Sequence, residues 1–382
     1  VKILTEKLKQ KARELGFQLT GVALAAQPAR LQKLHEWLDA GMAANMLYID
    51  QRRAAYQHPT HVLDGCKSLL MLGLPYLTSQ VQKLPLFAEK PGQGLIARYA
   101  QGDLDYHDAI HGKLKELKAW LHAAEPKAAI RGVVDTAPLL EREFAELAGL
   151  GWVGKNTLLL NQRWGSYFFL AALLTDLELT ADASFVGGHC GTCTACLTHC
   201  PTGAFPAPYV LDANRCLSYL TIEHREPLAD DLAEQLGDWV FGCDICQEVC
   251  PWNRKAQLAE EQIFAPNGEL AELDLMQLLA MDEPAFREHF RQTPLWRTRR
   301  RGLLRNAILV AGNQRLVDAQ AALLKLLQDE EPLLRGAAAW SLAQIAPGQW
   351  CDALQAALAM ETDPNVRTSL NKALAQSTAP AT

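Results

Sequence analysis

Hydrophobic positions in the first 180 residues alternate between a helical and a strand-like period. Leu4, Leu8, Ala12 and Leu15 recur at three- and four-residue intervals, which predicts an amphipathic helix over 4–15. Phe17–Ala25 reads as a strand, Leu31–Leu38 as a helix and Ser68–Leu74 as a buried strand. The pattern then predicts a helix over His107–His122, a strand over Ala128–Val134, a helix over Leu139–Ala148 and a buried strand over Tyr167–Leu174. Such a mixture is the signature of an α/β (α+β) domain.

Beyond residue 260 the strand period disappears. Glu260–Phe290 is mostly helical, and from Leu303 the chain repeats itself. Arg305-Asn306-Ala307, Arg335-Gly336-Ala337 and Arg367-Thr368-Ser369 recur, the later two behind the turns Asp329-Glu330-Glu331-Pro332 and Asp363-Pro364-Asn365. Paired amphipathic helices joined by Asp/Pro turns resemble a short, all-α HEAT-like array, whose units bury a shared core and offer an extended surface. The pattern divides the chain into residues 1–180, 181–260 and 261–382.

The middle segment is set apart by cysteine. Eight of the ten cysteines lie between residues 190 and 250. Cys190, Cys193, Cys196 and Cys200, followed by Pro201, form a C-x2-C-x2-C-x3-C-P run, the spacing of bacterial ferredoxins. Cys243, Cys246, Cys250 and Pro251 form a second group, with Cys216 as its upstream member. Three thiolates in the tight loop wrap one cubane, and the fourth, turned away by proline, serves the other. The expectation is a bacterial-ferredoxin-like double [4Fe-4S] insert. One cluster takes Cys190, Cys193, Cys196 and Cys250; the other takes Cys200, Cys216, Cys243 and Cys246. Zinc ribbons use isolated C-x2-C pairs without a trailing Cys-Pro, and disulfide frameworks suit small secreted domains; neither matches this pattern. Cys66 and Cys351 stand outside both groups and read as buried structural thiols.

Composition changes the picture in one place. Apolar residues make up 49% of the 382 positions and charged residues 21%, an ordinary soluble balance. The longest apolar run, Tyr167–Leu174, is too short to span a bilayer, and the first residues show no export core, so a cytoplasmic location is expected. A net charge of −6 argues against nucleic acid, yet eight arginines (287, 291, 297, 299, 300, 301, 305 and 315) face only Glu288 between residues 287 and 315. With partner acids missing locally, this block is a candidate phosphate surface.

Candidate chemistry in the first domain is sparser. Asp135 follows the strand Ile130–Val134, where an α/β sheet places its sites, although an aspartate there equally caps a following helix. Gly151-Trp152-Val153-Gly154-Lys155-Asn156 is glycine-rich without being a Walker A loop, and Gly92-Gln93-Gly94 lacks the third glycine of a dinucleotide fingerprint. His107 and His111, one helical turn apart, read as a solvated helix face more than a metal site.

These three modules in this order resemble the epoxyqueuosine reductase family. The resemblance is carried by Arg98-Tyr99-Ala100, Asp105-Tyr106-His107, Asp135-Thr136-Ala137-Pro138, Gly149–Asn156, Gly165–Leu170, the 190–201 run, Cys216–Glu223 and Cys250-Pro251-Trp252-Asn253. It implies an oxidoreductase that reduces epoxyqueuosine to queuosine at the wobble position of tRNAs with GUN anticodons. It also implies base-off cobalamin in domain 1–180, in keeping with Ile110 standing where a D-x-H-x-x-G motif requires glycine. By the same resemblance Asp135 is the proton donor, and Tyr99, His107, Asp135, Lys155, Asn156 and Ser166 contact the corrinoid. Domain 261–382 would hold the tRNA, with Arg297, Arg299, Arg300 and Arg305 on phosphates and Trp296 as a stacking surface. An external low-potential donor such as a flavodoxin or ferredoxin is implied, and a monomer is expected. The rival readings are a corrinoid reductive dehalogenase, a plain iron–sulfur electron carrier, and an RNA-binding protein whose clusters are structural.

Overall fold

The computed structural model describes residues 1–78, 88, 90–260, 262–271 and 273–378. Its principal elements, in chain order, begin with α1 (Lys2–Glu14), β1 (Leu19–Leu24), α2 (Leu31–Asp39), β2 (Ser68–Pro75), β3 (Gln93–Ile96), α3 (Tyr106–Ala124), β4 (Ile130–Val133), α4 (Glu141–Leu147) and β5 (Phe168–Thr175). They continue with β6 (Trp239–Phe241), β7 (Leu273–Asp274), α5 (Arg299–Asn313), α6 (Gln320–Leu326), α7 (Pro332–Ile345), α8 (Cys351–Met360) and α9 (Pro364–Thr378). Every helix and strand expected in the first 180 residues is present, with ends moved by at most two residues.

The chain packs as two units interleaved in sequence. The first comprises Val1–Gln82, Leu104–Asn214 and Ile245–Ala265; the second comprises Lys83–Asp103, Arg215–Asp244 and Pro266–Thr382. Residues 181–260, expected as one segment, therefore contribute to both units.

The first unit is built on a four-stranded sheet of order β1-β2-β5-β4, antiparallel throughout. This corrects the α/β argument for Asp135: the rule that sites gather at carboxyl strand ends belongs to parallel sheets with crossover helices. Strand β2 is buried along its whole length because both faces of the sheet are covered. On one face Phe144, Ala145 and Ala148 of the α4 region pack against Leu69, Met71 and Leu174. Leu114 of α3 sits over Gly132 of β4, where an added Cβ would come within 3.1 Å of the leucine. Gly21 is required for a closer approach still: a Cβ there would lie 2.0 Å from the Ala148 carbonyl oxygen.

The second unit joins a small sheet, order β6-β3-β7, to the helical array. Helix α5 is its axis, buried continuously from Gly302 to Gly312. A Cβ on Gly312 would lie 2.7 Å from the Trp340 ring, so glycine lets α5 and α7 meet closely. The repeated arginines have a shared structural role. Arg335 donates to the Asp329 and Glu330 carbonyls and pairs with Glu361. Arg367 donates to the Leu358 and Glu361 carbonyls. Arg305 does the same from α5, to the carbonyls of Leu220, His224 and Glu226. Each guanidinium satisfies carbonyls that a chain turn leaves without partners, which its five fixed donors allow. Among the described residues no helix is long and apolar enough to cross a membrane.

Candidate functional site

In the first unit, the N-terminus of α3 and the turn after β4 bring four side chains together. Asp105 caps α3 by accepting the backbone N–H of His107, and the same carboxylate oxygen lies 2.8 Å from His107 Nδ1. On its other side His107 Nε2 lies 2.8 Å from Asp135 Oδ1. The second oxygen of Asp135 accepts a hydrogen bond from the Tyr106 hydroxyl. Tyr106 is held in turn by stacking on Phe169, ring centroids 4.3 Å apart and nearly parallel.

Asp135 does not cap a helix, since α4 starts at Glu141. Its backbone has φ of 38°, a conformation uncommon for a non-glycine residue and worth holding only where surroundings over-determine it. One restraint is Arg52, which donates to the neighbouring Thr136 carbonyl at 3.0 Å. The Asp135 side chain keeps 43% exposure, so the carboxylate faces outward from this network.

The electrostatics favour a stored proton. Burial alone would lower the His107 pKa, but the two carboxylates outweigh it and hold it at about 9. At neutral pH both ring nitrogens therefore donate. The Asp105 carboxyl, which burial would raise, is drawn down by its bonds to His107. Glu141 is a further acid that the sequence did not single out. Its Oε1 is buried without a hydrogen-bond partner, and burial, then the charge of Asp135, pushes the carboxyl up to about 8. The reading of His107 as part of a solvated helix face is thus corrected: His111 is exposed, whereas His107 is fixed between two carboxylates.

Six of the eight clustered cysteines lie in the first unit; Cys216 and Cys243 lie in the second. Cys190, Cys193, Cys196 and Cys250 are mutual neighbours. Burial and then the charges of Cys250, Cys190 and Cys193 push the Cys196 thiol up to about 11. Cys190, Cys193, Cys196, Cys200 and Cys250 form no disulfide. Three of these thiols stand at two-residue gaps ahead of Cys200-Pro201, a spacing that suits a multi-iron cluster better than zinc. Cys190 and Cys250 back onto Trp152, Leu160, Phe185 and Trp252, an apolar wall that keeps water from that side. Cys200 accepts the Ala204 N–H at 3.3 Å. Of the two remaining thiols, Cys66 is buried and pushed up to about 11 by that burial, while Cys351 is only half-buried at the start of α8.

Three residues expected at a corrinoid are bonded to the cysteine segments. Lys155 Nζ donates to the carbonyls of Gly191 and Cys193, at 2.7 and 2.9 Å. Asn156 is buried and donates to the Cys246 carbonyl. Buried Ser166 donates from its hydroxyl to Gln247 and from its N–H to Asn253, whose amide returns a bond to Ser166 Oγ and another to the Gln247 carbonyl. Asn253 was visible in the sequence only as the residue after Cys-Pro-Trp. Tyr99 belongs to the second unit, half-buried, its ring 6.1 Å from Phe241.

The arginine block divides sharply. Arg305 is 1% exposed and fully engaged with carbonyls and Asn306, so it cannot reach a phosphate. Arg300 is half-buried between Asp329 and the Met281 carbonyl. Arg297 is exposed beside Glu223 at 2.8 Å. Partner acids missing locally are thus supplied from distant sequence. Arg299 is exposed, lies 4.5 Å over the Trp296 ring, and pairs with no acid among the described residues. Phe286 stacks on the same indole, so Trp296 is a support for Arg299 more than an open stacking surface.

Three family models match the chain: epoxyqueuosine reductase QueG, DUF1730, over residues 57–136; the 4Fe-4S double cluster binding domain over 189–253; and HEAT repeats over 297–375. An epoxyqueuosine reductase of Pseudomonas aeruginosa is 40% identical over 313 residues, covering 81% of this chain and 85% of that protein. The chain belongs to the epoxyqueuosine reductase family. A member from Escherichia coli is 37% identical over 89% of each chain. A crystal structure of an epoxyqueuosine reductase with a tRNA-Tyr epoxyqueuosine-modified tRNA stem loop superposes with a TM-score of 0.92 at 29% identity, covering 99% of both chains. The cluster match spans all eight grouped cysteines, so double [4Fe-4S] binding is a property of this family member.

Proposed function

We propose that this chain is an epoxyqueuosine reductase that acts on tRNA. The observation that carries the catalytic part of the reading is the Asp105–His107–Asp135–Tyr106 network. Converting an epoxide to an alkene consumes two electrons and two protons and releases water. The proton stored on His107 passes through Asp135, exposed at the end of the network, to the departing oxygen, and His107 is then reprotonated. Tyr106 orients the second carboxylate oxygen.

The donor sets fit the implied cofactors to different degrees. Four free, coupled thiols in one unit match a [4Fe-4S] cluster, and the other four grouped cysteines, Cys200, Cys216, Cys243 and Cys246, make the second. When bound, the clusters relay single electrons from an external low-potential donor such as a flavodoxin or ferredoxin. Cobalamin fits more narrowly. Both nitrogens of His107 are engaged by carboxylates, so His107 would serve bound cobalamin as a neighbouring proton store and not by binding cobalt. Tyr106, His107, Asp135 and half-buried Glu141 remain the polar groups of the first unit suited to face the corrinoid. When bound, cobalamin supplies the low-potential reduction of the epoxide carbon. We assign tRNA phosphates to exposed Arg297 and Arg299. The three-part division into residues 1–180, 181–260 and 261–382 then describes catalysis, electron relay and tRNA holding, in a protein that works as a monomer.

The test is anaerobic reconstitution with iron, sulfide and cobalamin, followed by assay on epoxyqueuosine-containing tRNA. Wild type converts the base, and Asp135→Asn retains iron content while losing turnover. A reconstituted wild type without turnover would sink the reading. Unimpaired Asp135→Asn would remove Asp135 from it.

A further inference from the structure

We propose that Lys155 tunes the cluster held by Cys190, Cys193, Cys196 and Cys250, raising its reduction potential, and fastens the loop that carries it. The proposal rests on the 4Fe-4S reading of that loop and is independent of cobalamin. Three observations converge on the residue.

The first is the pair of hydrogen bonds from its ammonium to the Gly191 and Cys193 carbonyls, one on each side of Thr192. In a trans peptide the N–H points opposite to the C=O. Turning these two carbonyls toward the lysine turns the N–H groups of Thr192 and Thr194 to the other side of the loop. Gly191 has φ of 47°, which a glycine adopts without strain, so the loop can present both carbonyls on one side.

The second is what the backbone of the same residue does. The Lys155 carbonyl accepts the Tyr209 N–H at 2.9 Å, and its neighbour Asn156 reaches the Cys246 carbonyl. Residues 155–156 thereby tie together the first cysteine run, the segment that follows it and Cys246 of the second group. Gly151 makes the supporting hairpin possible: a Cβ there would lie 2.0 Å from the Leu160 carbonyl oxygen.

The third is charge. Among the described residues no carboxylate pairs with Lys155, so its positive charge is not cancelled locally. Reduction adds a negative charge to a cluster that four thiolates already make anionic. A neighbouring fixed cation favours the reduced form, whereas the apolar wall of Trp152, Phe185 and Trp252 disfavours it. The lysine offsets the wall.

The experiment is a redox titration of the reconstituted holoenzyme followed by electron paramagnetic resonance, on Lys155→Gln, Lys155→Arg and Lys155→Met. Gln keeps a hydrogen-bond donor without charge, and Arg keeps both. We expect Lys155→Gln to bind about eight irons per chain and to move one cluster to lower potential while the other stays put. Lys155→Arg should return that cluster towards the wild-type value, and Lys155→Met should also lose iron faster to a chelator. If Gln and wild type titrate alike, the tuning role is wrong. If both clusters shift together, or Arg behaves like Gln, the residue is only a structural support and the proposal fails. Wild type that binds no iron would instead count against the cluster reading beneath it.

Discussion

His107 Nε2 and Asp135 Oδ1 stand 2.8 Å apart, and the histidine is held on its other side by Asp105. A cation fixed between two carboxylates makes protonation, orientation and stability one linked property. With a folded pKa of about 9 against 6.5, the pairing contributes stability fully below pH 6.5 and loses it as pH rises through 9. The upper bound is roughly 3 kcal/mol, reduced by the exposure of Asp135. Denaturation of His107→Gln across pH 6 to 10 should show a flatter profile than wild type. Its turnover should fall, while wild-type turnover declines above about pH 9.

Arg305→Met should be among the most destabilising single changes in the second unit. It leaves the buried Leu220 carbonyl and the partly buried carbonyls of His224 and Glu226 without this donor, at a cost of roughly 2–5 kcal/mol. Burial draws the guanidinium down to about 9, still charged at neutral pH, so lysine, with fewer fixed donors, should rescue little. Urea unfolding of the two variants measures this.

Arg299→Glu should leave stability within about 0.5 kcal/mol, because the side chain is exposed and lies over the Trp296 face. Affinity for the tRNA stem loop should drop, and the slope of log affinity against log salt should shrink by about one phosphate contact. Unchanged binding at two salt concentrations would remove Arg299 from the interface.

Asn253→Ala should loosen the Cys246–Cys250 segment. The amide joins Ser166 to the Gln247 carbonyl, and Gly165 leaves room for it: a Cβ there would lie 2.0 Å from Asn253 Oδ1. A drop in iron per chain, with near-normal far-ultraviolet circular dichroism, is the expected outcome.

Glu361 is held down at about 2 by its bonds to Arg335, so its contribution is present above pH 4.5 and lost as pH falls through 2. Arg335→Gln should therefore narrow the acid-side stability of the helical array. Acid titration of helicity reads this directly.

The sequence by itself determined the elements, the cysteine chemistry and the repeat, because each is written at short range. Periods of 2 and 3.6 in Ser68–Leu74 and His107–His122, and two- and three-residue gaps between cysteines, depend only on neighbours along the chain. The antiparallel order of the sheet, and the roles of particular polar side chains, depended on partners that spacing does not specify. Lys155 meets carbonyls 36 and 38 residues away, Ser166 meets Gln247 at 81, and Arg305 meets Leu220 at 85. A charged residue outside the core pattern reads alike whether it faces solvent, a phosphate or a buried carbonyl. Only the tertiary structure separates these cases, because burial turns an unsatisfied carbonyl into a cost that a long-range donor must remove.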